Sequence, residues 1–203
     1  NTDDDFPAWS PDSSKLVFIS MRDGNRGLYE MNADGSGRQK RLMSDKSDKF
    51  LPRYSPDGKK ISFAKNIGEW LANGGGNYDI HTINADGTGR KIFATGVRNV
   101  IGMDFHPVTN ELWGNNNGHD LEGRASPPEW IDIIRDGDFM GYPFVHSHQV
   151  WNDFEIDEYQ PVLPLTLADS ARVATQKRPV ALVPAHYAPM GLHFYTGDQF
   201  PSR

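Results

Sequence analysis

Seven histidines and one Arg-Asn pair are the residues of this 203-residue chain around which chemistry could be built. The pair, Arg98 and Asn99, opens the stretch GVRNVIGMDFHP at 96–107. Most of that stretch reads as a short buried strand, VIGMDF, ending at a His-Pro turn. Such a strand has no need of a cation and an amide at its head. Taken alone, Arg98 reads as a surface cation and Asn99 as a turn residue; only the flanking motif makes them candidates for ligand contact. His186 lies in PAHYAP beside Tyr187, which can stack on a flat ligand or pack against Pro189. His81 sits inside YDIHTIN with no motif around it. His106 precedes Pro107 in a turn, and His193 alternates with Leu192 on an expected strand. His146 and His148 stand two apart, without a third ligand at a spacing that marks a metal site.

Weaker signals receive plainer readings. NADGSG offers Asn32, Asp34 and Ser36 at alternate positions, as calcium loops do, but no downstream acidic residue completes such a loop, so it reads as a hairpin turn. The triple glycine at 74–76 lacks the Lys-Ser/Thr of a phosphate loop and reads as surface loop. DDD at 3–5 reads as a solvated terminus. The absence of cysteine excludes disulfides, thiolate metal sites and cysteine nucleophiles. With 21 Lys and Arg against 27 Asp and Glu, the net charge is −6, and no basic run is present. Nucleic acid and anionic membrane are therefore poor partners. No apolar run approaches the ~18 residues needed to span a bilayer, and no signal peptide is visible. Both ends, NTDDDFPAWSPD and YTGDQFPSR, read like the middle of something, as in a fragment or a processed form.

The elements that must position these residues announce themselves as a repeat. PAWSPD at 7–12 and PRYSPD at 52–57 are each followed by a strand, KLVFIS at 15–20 and KKISFAK at 59–65. A turn and a second strand follow, GLYEMN at 27–32 and YDIHTIN at 78–84. Each copy closes on a near-identical turn, NADGSGR or NADGTGR. The second copy is longer because of an insertion around EWLANGGGN. Proline presets φ in Ser-Pro-Asp-Gly and glycine takes the left-handed position. Trp9 and Tyr54, the aromatics before SPD, are expected to pack between units. A period of ~40–50 residues with four short strands describes a propeller blade. The expected fold is all-β: a β-propeller of four-stranded antiparallel blades, about four in this chain, either partial or closed by association. Residues 6–95 resemble TolB-type repeats, so the division is 1–95 as two such blades and 96–203 as blades with long loops, in one continuous propeller. Strand candidates in the second half are VIGMDF, ELWG at 111–114, WIDIIR at 130–135 and GLHFYTG at 191–197.

The second half carries four stretches in fixed order: GVRNVIGMDFHPVTNELWG, NNNGHD, DGDFMGYPFVH and PAHYAPMGLHFYTGDQFP. Together they resemble the glucose/sorbosone dehydrogenase family, propellers that use pyrroloquinoline quinone (PQQ). The resemblance implies oxidation of an aldose or sorbosone-type sugar, with hydride passing to the quinone and calcium polarising it. It implies that Arg98 and Asn99 contact the quinone, that His186 lies over the cofactor face, and that Gly118 and His119 offer the successive backbone carbonyls that bind calcium, with Asp120 nearby. A flat tricarboxylate needs cationic and amide donors, and developing negative charge needs a hard cation.

Two departures limit that reading. Where the family has its catalytic histidine, this chain has TolB-like repeats whose one histidine is His81, so the base is not carried over. The family's further cationic residues and its stacking aromatic belong largely beyond the point where this chain stops. The sequence therefore supports a PQQ- and calcium-dependent sugar dehydrogenase-like protein, or the cofactor-binding portion of one. The alternative is a non-catalytic TolB-like propeller that binds protein, peptide or carbohydrate. A periplasmic or extracellular location is expected, and homo-oligomerisation if the propeller is incomplete in one chain.

Overall fold

The computed structural model describes residues 3–43, 45–68 and 77–199. The insertion around EWLANGGGN, with its triple glycine at 74–76, lies outside the described residues except for Asn77.

The chain builds successive antiparallel meanders. The first sheet runs in order β1 (Asp4–Trp9), β2 (Lys15–Ser20), β3 (Gly27–Asn32), β4 (Lys40–Arg41). The second follows with β5 (Lys49–Tyr54), β6 (Lys60–Asn66), β7 (Tyr78–Asn84) and β8 (Lys91–Val97). The third starts with β9 (Val100–Phe105), β10 (Leu112–Asn116) and β11 (Glu129–Ile134), and then the chain leaves it. β12 (Asp138–Phe139) pairs in parallel with β8 at Ala94 and Thr95, adding a fifth strand to the second sheet. β13 (Val145–His146) and β14 (Val150–Trp151) form a small hairpin. The helix α1 (Leu167–Val173) starts at a capping box in which Thr166 and Asp169 satisfy each other's backbone N–H groups. Only then does β15 (Ala181–Val183) pair with β11 to complete the third sheet.

This is a β-propeller arrangement of four-stranded blades, and the described strands do not close into a ring. Arithmetic on chain length anticipates about four blades; three blade-like sheets form among the described residues, and residues 135–180 are spent largely on the excursion, which has its own small core of Phe139, Phe144, Val145, Val162 and Val173.

Apolar side chains between the sheets hold the array together. Ala8, Val17, Ile19 and Leu28 of the first sheet meet Tyr54, Ile61, Phe63 and Ile83 of the second. Ala64, Ile80 and Ala94 of the second meet Val100, Met103, Leu112 and Trp130 of the third. Central strands are covered on both faces, so β6 buries four residues in a row, Ile61 to Ala64, where a half-exposed strand would alternate. Each buried Val, Leu, Ile, Phe or Met among them contributes about 1.5–3 kcal/mol.

The repeat is written in hydrogen bonds as well as letters. Ser10 and Ser55 donate their N–H groups to the carbonyls of Lys15 and Lys60. Their hydroxyls bond Asp12 and Asp57 at 2.6 Å. The third sheet repeats the turn with other residues: the His106 N–H reaches the Glu111 carbonyl, and its Nδ1 accepts from Thr109 N at 3.1 Å. β1 and β5 carry matching bulges at Phe6 and Leu51, both in the left-handed region and both followed by proline. A bulge is where a strand tolerates a residue without an N–H. The NADG turns close as hairpins, with Asp34 and Asp86 accepting the N–H two residues on.

Several expectations need correction. Tyr54 packs between blades, and its hydroxyl crosses to Glu30 of the first sheet at 2.7 Å; Trp9, at the equivalent position, is 59% exposed. Asp4 and Asp5 lie in β1 and pair with Arg22 and Arg26, so most of DDD is strand. GLHFYTG forms no strand. Residues 191–194 lie over the third sheet through side chains: Phe194 packs on His106 and Trp113, and His193 Nδ1 meets Asp104 Oδ2 at 2.7 Å. Gly102 permits that approach, since a Cβ there would stand 2.5 Å from Leu192 N.

Candidate functional site

The polar head of β9 stitches two segments together. The Asn99 N–H donates to Asn116 Oδ1 at 2.8 Å, and the Asn117 N–H donates to the Asn99 carbonyl at 2.9 Å. Arg98 Nη1 donates to the Gly118 carbonyl at 2.6 Å, and Nε lies 3.8 Å from Oε1 of the buried Glu158. The pair thus fixes the loop that follows β10, whatever else it binds.

That loop is held from its other side by Glu129, a buried carboxylate at the start of β11. Oε2 accepts from the Gly118 N–H, and Oε1 accepts from the His186 N–H at 3.1 Å. The His186 ring returns to the same loop, Nδ1 meeting Asp120 Oδ1 at 2.9 Å and Nε2 meeting the Gly123 carbonyl at 2.7 Å. Two acceptors on one ring call for the protonated imidazolium. The Gly123 carbonyl, then the Asp120 carboxylate, hold its pKa above the usual histidine value. His186 is a clasp between loops rather than a waiting base. Hydrogen bonds therefore connect Arg98, Gly118 and His186 in one network.

His119 faces inward beside it. Its Nδ1 accepts from the Leu121 N–H at 3.1 Å, and Nε2 lies 3.4 Å from Glu122 Oε1. His146 Nε2 lies 3.5 Å from the other oxygen of that carboxylate. Burial pushes His119 down to about 4, against the opposing pull of Glu122, and lowers His146 as well. Below Arg98 is a cavity of about 30 Å³, lined among others by His119, Tyr142, His146, Asn152 and Tyr159.

The residues present can be tested against the groups that the sequence implies. Calcium does not fit. The Gly118 carbonyl, one of the two expected backbone ligands, already accepts a guanidinium N–H from Arg98, which would repel a second cation there. Among the described residues no group of three His, Asp or Glu side chains is arranged to hold a metal. An anionic ligand resting on the outside suits Arg98 and Asn99 better. The Arg98 side chain keeps 18% of its surface exposed, and the Asn99 amide is half-buried with no hydrogen bond among the described residues. The cavity beneath is far smaller than the ~300 Å³ at which ligand pockets begin. A roomier groove, about 840 Å³, lies along the outer edge of the first sheet and shares no residue with this network. Its Arg22 and Arg41 are already paired with Asp4 and Asp23.

His81 is remote from the network in its contacts. It is buried, stacks on Phe63 at 5.6 Å, and burial lowers its pKa to about 4. Both ring nitrogens lack hydrogen-bond partners among the described residues.

Sequence reading misses Glu129, Glu158 and Glu122, the three carboxylates that organise the site. Glu129 follows two prolines at the head of an apolar strand, a weak hint of burial. Glu158 sits in EIDEYQ, whose charge reads as a solvated loop.

The profile of the family described as Glucose / Sorbosone dehydrogenase matches residues 71–202. A protein of Borreliella burgdorferi is 35% identical over 124 residues, covering 60% of this chain and 30% of its own length. A crystal structure of glucose dehydrogenase superposes with a TM-score of 0.63 at 15% identity, over 96% of this chain and 62% of that one. A putative TolB from Agrobacterium tumefaciens gives 0.52 at 20% identity, over 66% and 46%. These structural likenesses speak for the fold. The chain spans under two fifths of the length of the first curated relatives it matches, 30% of the Borreliella protein and 38% of one from Synechocystis. Among the described residues no helix is long and apolar enough to cross a membrane.

Proposed function

The chain belongs to the glucose/sorbosone dehydrogenase family, and on that premise we propose that it forms the cofactor-facing portion of a sugar-oxidising propeller. Arg98 and Asn99 would hold a carboxylate of PQQ. The observation that supports this reading is the bracing of Arg98. The Gly118 carbonyl and Glu158 fix the guanidinium from two sides, so Nη2 and the neighbouring Asn99 amide are held in place as donors without partners among the described residues. Fixed charged donors bind carboxylates more strongly than mobile ones. When bound, the quinone would accept hydride from the carbon of an aldose or sorbosone-type sugar.

The other residues have supporting tasks. His186 and Glu129 close the loop behind Arg98, and His119 packs against Tyr159 with its ring centroid at 5.0 Å. The Gly118 carbonyl is committed to Arg98 rather than to calcium. Sugar as substrate, a periplasmic or extracellular setting and a homo-oligomer are part of the same proposal; unpaired sheet edges tend to associate.

The test is quinone binding by the full chain, followed by fluorescence, with and without calcium. Micromolar binding that weakens about ten- to a hundredfold in Arg98→Ala is expected. Wild-type protein that does not bind PQQ overturns the reading.

A second reading, a non-catalytic propeller that binds protein, peptide or carbohydrate, is favoured by one observation. Three histidines are not placed as a base: His81 and His119 are buried, and both ring nitrogens of His186 are engaged by Asp120 and Gly123. Dye reduction with aldoses in the presence of PQQ separates the two, since the second reading expects none.

A further inference from the structure

The cavity under Arg98 is lined by buried polar atoms that make no hydrogen bond of good geometry among the described residues. Arg98 Nε, His119 Nε2, Tyr142 OH, Asn152 Oδ1 and Tyr159 OH belong to its lining, are all buried and lack hydrogen-bond partners among the described residues. Tyr159 is fully buried and His119 nearly so. A single buried orphan is an exception in a folded protein, and five around one space call for a common cause.

The protonation of these atoms identifies the guest. Asn152 donates Nδ2 to the Pro143 carbonyl at 2.6 Å, which turns its Oδ1 the other way as an acceptor. His119 accepts at Nδ1, so its Nε2 carries the proton. Arg98 Nε can only donate, Glu158 Oε1 accepts, and the two phenols do either. The ring thus offers donors and acceptors together. A cation would meet Arg98, and an anion would meet the Asn152 Oδ1 acceptor. An uncharged molecule that both donates and accepts suits all of them. A space of about 30 Å³ is above the minimum for one water and below what a larger ligand needs.

We propose that this cavity is a built hydration site. One or two ordered waters link the Arg98–Glu158 pair to Tyr142, Tyr159, Asn152 and the His119–Glu122–His146 group, and so position the guanidinium from below. The site stands independently of any quinone above it.

The experiment compares the full chain with Tyr159→Phe, which keeps the ring and removes one hydroxyl. In a hydrated cavity the water loses a partner, and Tm should fall by about 2–4 °C. In a dry cavity the change removes an orphaned hydroxyl, and Tm should hold or rise; that result would overturn the proposal. A crystal structure at a resolution that shows ordered water gives a reading that does not depend on the variant. Density in contact with Arg98 Nε and Asn152 Oδ1 supports the site. An empty cavity, or an anomalous peak there after a bromide soak, rejects it.

Discussion

Arg98, at the head of β9, donates to the carbonyl of Gly118, twenty residues further along the chain, at 2.6 Å. Its other face meets Glu158, whose side chain is only 5% exposed. Removing the cation strands that carboxylate. Arg98→Met is expected to lose about 3 kcal/mol in urea unfolding. Adding Glu158→Gln should return at least 1 kcal/mol, a departure from additivity that only a direct pairing produces.

Glu129 spans Gly118 and His186 with its two oxygens. Glu129→Gln keeps the shape but turns an amide NH₂ toward one of two backbone N–H groups. A loss of about 2 kcal/mol is expected. Hydrogen exchange should quicken at the amides of Gly118 and His186 together, while amides in β2 and β6 keep their protection.

His81 and His119 carry depressed pKa values, each about 4, because burial disfavours their charged forms. The unfolded chain therefore binds more protons than the folded one between about pH 6.5 and 4. Stability is full above that window and declines as pH falls through it. His81→Leu should flatten this acid limb and add about 1 kcal/mol at neutral pH, since it removes two unpartnered nitrogens. A Tm series across pH 4–7 reads both effects.

His186 has the opposite sign. Its pKa is raised, so its contribution is whole below about pH 6.5 and fades as pH climbs through the folded value. NMR signals from residues 184–188 should broaden or shift on the alkaline side of neutrality, and His186→Gln should abolish that change.

Ser13 occupies the left-handed position of its turn at φ 59°, where the second copy has Gly58 at φ 70°. A non-glycine residue there is strained by about 1 kcal/mol. Ser13→Gly is expected to raise Tm by about 2–4 °C. The reverse change, Gly58→Ser, should lower it by a similar amount.

The two TolB-like blades were legible because local chemistry specifies them. SPD turns, NADG hairpins and short apolar strands each declare their own geometry, and β2, β3 and β7 fall where the letters place them. The third sheet was only half legible. Its last strand, β15, comes forty-six residues after β11 ends and is chosen by tertiary pairing, which no local pattern encodes. GLHFYTG has strand letters, yet its partners are side chains of the third sheet. The polar network was less legible still. Arg98, Asn99, Gly118 and His186 could be singled out by motif, but the acidic residues that hold them look like surface charge until the fold buries them. Helix α1 went unseen although its Thr166–Asp169 capping box is a local signal.

The parallel pairing of β12 with β8 fixes the order in which the molecule comes apart. Backbone bonds from Gly137, Met140 and Tyr142 to Phe93, Thr95 and Gly96 weave the third blade's excursion into the second sheet. The second and third blades therefore share a ladder, while the first joins the second mainly through side chains, with a backbone bond from the Lys49 N–H to the Arg26 carbonyl. Heat or denaturant should peel away the first blade as a separate cooperative unit, and the other two should open together.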